Sequence, residues 1–150
     1  DGVNTCWDTH QKNFPKLKNL LCPMFDQSFP AFLDDLDQRG LLETTLVVAV
    51  GEFGRTPKMG EVTQSNNTKS TGRDHWPHAF TAILAGGGIR GGQVYGASDR
   101  SGAEPAENGC TPADLHATIF EALGLPHKAS ITDRLGRPFP ISDGSPLPLT

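Results

Sequence analysis

Cysteine, positive charge and long apolar runs are scarce in this sequence, and each scarcity removes a class of protein. Its 150 residues hold three cysteines, Cys6, Cys22 and Cys110. Their spacing fits neither a zinc knuckle nor a thioredoxin-like pair, and an odd number leaves at least one thiol free or bonded to another chain. Sequence alone leaves a Cys6–Cys22 disulfide open. Thirteen Lys and Arg stand against 17 Asp and Glu, a net charge of −4. That balance argues against a nucleic-acid groove and against a polybasic membrane surface. No apolar run approaches the roughly 20 residues that span a bilayer; the longest, "TLVVAV", has the length of a strand. There is no visible secretory leader and no G-x-S-x-G elbow, so nothing points to a serine hydrolase of that kind.

What is present suits one soluble globular domain: 36% hydrophobic and 20% charged residues, in a chain long enough for a single core. "NFPKLKNLLCPMFDQSFPAFLDDLDQRG" places Phe25, Phe29, Phe32, Leu33 and Leu36 at helical spacing, which predicts a helix with one buried face. Pro30 predicts a kink or restart, and Gly40 a C-terminal stop. "TTLVVAV" at 44–50 lacks polar alternation and reads as a strand buried on both faces of a parallel sheet. Residues 58–73 are polar and rich in Gly, Ser and Asn, an exposed loop of functional length. Within it, Asn66-Asn67-Thr68 fits a glycosylation sequon, a pattern frequent by chance. "AFTAILAG" at 79–86 is a second buried strand. "TPADLHATIFEALGLP" is the clearest helix: Thr111 caps it, Pro112 sits at N1, Asp114 at N3 completes a capping box, and Gly124 closes it. Residues 128–150 read as an extended tail. Helix, strand, loop, strand, helix is an α/β layout.

Sites in such a layout gather where strands end. Glu52 and Arg55 follow the first strand. A carboxylate there is paired with Arg55, caps a helix, or binds a cation. Asp74 and His75 follow the long loop, with His78 close by, and Asp8 and His10 stand near the start of the sequence. An isolated Asp-His pair is more often a surface accident than a ligand pair. Here two such pairs share one chain with Glu52. Carboxylate and imidazole together suit Zn²⁺, Mn²⁺ or Fe²⁺, and the absence of a Cys cluster disfavours a structural thiolate site. His116 falls off the apolar stripe of its helix and faces solvent, and His127 reads as a loop residue. "GGGIRGG" lacks the Walker pattern and a following helix, so turn chemistry is the better reading.

Taken in order, "WDTH", "LDQRGLLETTLVVAVGEFGRTP", "GRDHWP", "AGGGIRGGQVYGASD" and "TPADLHATIFEALGLP" resemble the C-terminal part of an uncharacterised bacterial family, the sulfatase-like domain-of-unknown-function group placed with the alkaline phosphatase and sulfatase superfamily. The resemblance runs from Trp7 to about Gly144. It implies the C-terminal portion of an alkaline-phosphatase-like α/β/α sandwich with a mostly parallel sheet. It also implies that the N-terminal half, with the nucleophile and a further ligand Asp, lies outside these residues, so that the sheet needs that half or another chain to complete it.

The resemblance implies a metal-dependent hydrolase of phosphate or sulfate esters. Asp8, His10, Glu52, Asp74 and His75 become the metal-ligand set, with zinc the leading ion and manganese or iron as alternatives. Arg55 and Arg73 become contacts for an anionic small-molecule or polysaccharide ester. Export to the periplasm or cell surface is a further implication. Phe53 stands where the superfamily has a ligand His, and Glu52 replaces its Asp. That departure supports the rival expectation, a non-catalytic cell-surface binding or structural protein with a degenerate metal site.

Overall fold

The computed structural model describes residues 7–64 and 67–150. A helical run over 13–38 opens it: α1 (Asn13–Lys16), a π-helical turn (Leu17–Leu21) and α2 (Cys22–Gln38). Pro23 lies in the first turn of α2, and just before it the Cys22 N–H reaches back five residues to the Leu17 carbonyl. A wide turn of this kind is the usual form of a π-helical insertion. The helix does not restart at Pro30; α2 runs through it. Gly40 follows the helix at φ +68°.

The strands are short and pair two by two. β1 (Val47–Val50) pairs with β4 (Ala82–Ala85), β2 (Gly54–Arg55) with β3 (His75–Trp76), β5 (Ala97–Ser98) with β6 (Pro105–Glu107), and β7 (Ser130–Thr132) with β8 (Pro138–Pro140). Every pair is antiparallel. This corrects the expected α/β/α sandwich with a mostly parallel sheet. The reason is visible in the connection. A parallel crossover needs about a dozen residues, usually a helix, to carry the chain back. Between β1 and β4 lie loops and the β2–β3 pair but, among the described residues, no helix. An apolar run such as 44–50 is equally compatible with either direction, so periodicity could not choose.

The burial expected of these elements is also corrected. β1 is half-buried and Val50 is 48% exposed. No described residue of α2 is buried, and Phe32 is about half exposed. Phe25 and Phe29 stack on each other at 4.8 Å, with Trp7 edge-on to Phe25 at 6.1 Å.

The last helix, α3 (Pro112–Ala122), forms as its caps dictate. Thr111 and Asp114 make the reciprocal capping box, and Gly124 follows at φ +75°. The side it buries is Ala117 and Thr118, while Leu123, its C-cap, stays exposed. Residues 142–147 pack along α3. The Thr118 hydroxyl accepts from Leu147 N–H at 2.9 Å, and the Asp114 carboxylate accepts from Ser145 N–H at 2.8 Å. His116 is exposed, as expected. Among the described residues no helix is long and apolar enough to cross a membrane. Cys22 and Cys110 are free thiols; Cys6, and Asn66 of the sequon, lie outside the described residues.

Candidate metal centre

The segment 7–13 is pinned against the loop before β3. Thr9 is buried, and its hydroxyl bonds the Asn13 side chain. Its carbonyl accepts from Arg73 N–H at 3.2 Å, the His10 carbonyl from Lys69 N–H at 2.9 Å, and the Thr71 carbonyl from Asn13 N–H at 2.8 Å. Gly72 makes this approach possible: a Cβ there would run into the His10 carbonyl. On the other side, the β2–β3 pair sets Arg55 directly opposite His75, and cross-strand partners share a face.

Asp74 locks the arrangement. It is fully buried. One carboxylate oxygen, Oδ2, accepts from Thr63 N–H (2.8 Å) and Gln64 N–H (2.9 Å), and Oδ1 accepts from His75 N–H (2.8 Å). Its own N–H donates to the Thr56 hydroxyl, itself buried. A buried carboxylate is tolerable only with partners of this kind.

Three side chains then converge. His10 Nε2 is 2.9 Å and His75 Nε2 3.2 Å from Asp8 Oδ1, and the three ligand atoms lie within 4.8 Å of one another. Ligands on a zinc ion at about 2.0 Å in a tetrahedron are separated by about 3.3 Å. The far nitrogens of both rings are also held. His10 Nδ1 lies 2.8 Å from the Thr68 hydroxyl and 3.6 Å from Asp74 Oδ1, and His75 Nδ1 is 3.3 Å from Gln64 Oε1. Gln64 Oε1 holds that nitrogen of His75 and leaves Nε2 directed at Asp8. Ligating imidazoles are oriented by bonds of this type at their other nitrogen. The Phe53 ring lies tilted against the His75 ring, centroids 4.3 Å apart.

Arg55 closes one side. Its Nη2 donates to Asp8 Oδ1 at 2.6 Å and to the Trp7 carbonyl at 3.0 Å, and Nη1 to the Arg73 carbonyl at 3.4 Å. Partial burial pushes the Asp8 carboxyl upward. Hydrogen bonds from Arg55 and His75, with the charges of Arg55 and His10, outweigh it and hold the group below its ordinary value of 3.8. Thr68, His10 and Asp8 also line up as hydroxyl, imidazole and carboxylate. Thr68 is only 8% exposed, and its hydroxyl holds the His10 ring.

Of the residues singled out from sequence, Asp8, His10 and His75 meet, Arg55 bonds Asp8, and Asp74 sits behind His10. Glu52 is exposed and lies outside the cluster. Arg73 turns its guanidinium over the Phe14 ring at 5.2 Å, and its Nε makes no hydrogen bond among the described residues. His78 packs at a tilt against Trp76 and faces Glu104 at 3.5 Å, and His127 pairs with Glu121. Thr56, Thr63, Gln64 and Thr68 were not legible. They are ordinary polar loop residues until the chain crossing brings them to Asp74 and the two rings.

The family model that matches the chain is DUF1501, a protein family of unknown function, over residues 2–149. It is distinct from the sulfatase-like family that the motifs resemble, and the resemblance is corrected accordingly. No curated protein and no solved structure matches.

Proposed function

This chain belongs to the DUF1501 family, of unknown function, and from its site we propose a divalent-cation-dependent hydrolase of phosphate or sulfate esters. One observation carries the proposal: two imidazole Nε2 atoms meet one carboxylate oxygen, with both far ring nitrogens already held. Asp8, His10 and His75 hold the ion, and zinc suits their N₂O donor set with a position left open. A bound ion supplies Lewis acidity toward an ester oxygen. Arg55, beside the centre, favours anionic substrates because its planar fork matches their oxygens. The second reading, a non-catalytic binding protein, is favoured by Phe53 and Glu52: the first covers His75 and the second stays outside, so these residues provide for one ion rather than two.

Elemental mass spectrometry of the purified protein tests the proposal, beside a His10→Ala/His75→Ala variant and assays with aryl phosphate and aryl sulfate. The expectation is about one ion per chain, lost in the variant together with ester hydrolysis. A folded wild type that takes up no Zn²⁺, Mn²⁺ or Fe²⁺ sinks it. A wild type that binds an ion but turns over neither ester leaves the binding role standing.

A further inference from the structure

We propose that Arg55 is a resident counter-ion which the metal displaces, so that the site binds an oxyanion only once the metal has bound. The inference rests on the metal-centre reading and extends it to the order and coupling of the two ligands. Three nitrogens crowd Asp8 Oδ1: Arg55 Nη2 at 2.6 Å, His10 Nε2 at 2.9 Å and His75 Nε2 at 3.2 Å. The shortest contact is the guanidinium. A divalent ion seated between the two imidazoles and this oxygen competes with Arg55 for the same lone pairs. It also repels the guanidinium's charge across a short distance.

Arg55 is built to survive that displacement. It has five N–H donors. Besides the bond to Asp8, one goes to the Trp7 carbonyl and one to the Arg73 carbonyl. Those two backbone bonds tether the head beside the centre after Asp8 is taken by the ion. The released donor joins those not engaged here and turns toward a ligand of the opposite charge. Arg73 cannot take this part while its guanidinium lies on the Phe14 ring. Without metal, Asp8 neutralises Arg55, and a phosphate or sulfate meets a carboxylate as well as a cation. With metal, the carboxylate is spent on the ion, and both cations face the anion. Coupling of this kind is reciprocal: the anion must tighten the metal by the same factor.

Calorimetric titration of the intact chain with Zn²⁺, and with inorganic phosphate in the presence and absence of Zn²⁺, tests this on wild type, Arg55→Met and Arg55→Lys. Losing one charge-assisted competitor should tighten Zn²⁺ about tenfold in Arg55→Met, with Arg55→Lys between that variant and wild type. Zn²⁺ should tighten phosphate on the wild type by at least about tenfold, and Arg55→Met should lose most of that gain. Should Arg55→Met fail to fold, the wild type carries the test alone through its Arg55 guanidinium NMR resonances, which must move on adding Zn²⁺. Unchanged or weaker Zn²⁺ binding in Arg55→Met overturns the inference and leaves the metal centre intact. So does phosphate binding that ignores Zn²⁺, or an Arg55 resonance that stays in place. A wild type that binds no Zn²⁺ overturns both readings, and His10→Ala, which should lose Zn²⁺ in either background, separates this centre from adventitious binding elsewhere.

Discussion

The loops around Asp74 and the apolar pair of β1 with β4 make opposite uses of their residues. In the first region Thr9, Asn13, Thr56, Thr68 and Asp74 are all buried, each by hydrogen bonds to chain distant in sequence. In the second, valines and isoleucine remain half in solvent, and α2 buries none of its described residues. The buried hydrophobic side chains among the described residues are Leu21, Ala117 and Leu149, fewer than the buried polar ones. The chain's accessible surface is 10413 Å², whereas a compact monomer of this mass exposes about 7,400 Å². Order here follows hydrogen bonding rather than hydrophobicity. The site is consequently the better-built part of the molecule, and its tolerance to substitution should be the lower.

Substitutions can break or sharpen that contrast. The largest effect is expected at Asp74→Ala, which strands the Thr63, Gln64 and His75 N–H donors. A loss of about 3 kcal/mol in urea unfolding is expected, together with loss of bound metal. Gly72→Ala comes next. Its new methyl meets the His10 carbonyl, and a cost of about 2 kcal/mol should arrive with weakened Zn²⁺ binding. Thr111→Ala removes the α3 cap for about 1 kcal/mol and should leave metal content unchanged, because α3 contributes no ligand. Phe32→Ser, on the exposed side of α2, should change stability by no more than about 0.5 kcal/mol. A cost above about 2 kcal/mol there would mean that this face is covered in solution and would erase the contrast.

A further small effect concerns pH. Asp8 has a folded value below its ordinary 3.8, so its contribution is complete above that value and is lost as pH falls through the lower folded one. Its side chain is 49% exposed, and the contribution is therefore under about 1 kcal/mol. Unfolding curves of wild type and Asp8→Asn should converge as the pH falls below 3.8.

What the sequence disclosed depended on how local the signal was. α3 was legible to the residue because Thr111, Pro112, Asp114 and Gly124 act within one turn of the helix ends. β1 and β4 were legible in position but not in direction, since a run of Val, Ile and Ala carries no mark of its neighbour's polarity. The missing crossover helix between them was the available clue. β2 and β3, two residues each, are shorter than any periodicity. Asp8, His10 and His75 could be nominated by type. What gathers them is the hydrogen bonding of Thr63, Gln64 and Thr68 across the loop, and no spacing encodes that.

His75 lies 67 positions from Asp8 along the chain. A contact of that span can form only after the intervening segments have come together, since loop closure must be met before distant contacts reward it. No partly folded chain therefore owns the centre, and Asp8 with His10 alone makes a poor chelator. On the proposed reading, metal uptake would serve as a clock for the folding reaction: it should trail the helix signal in time, and its amplitude should count only those molecules that have reached the end.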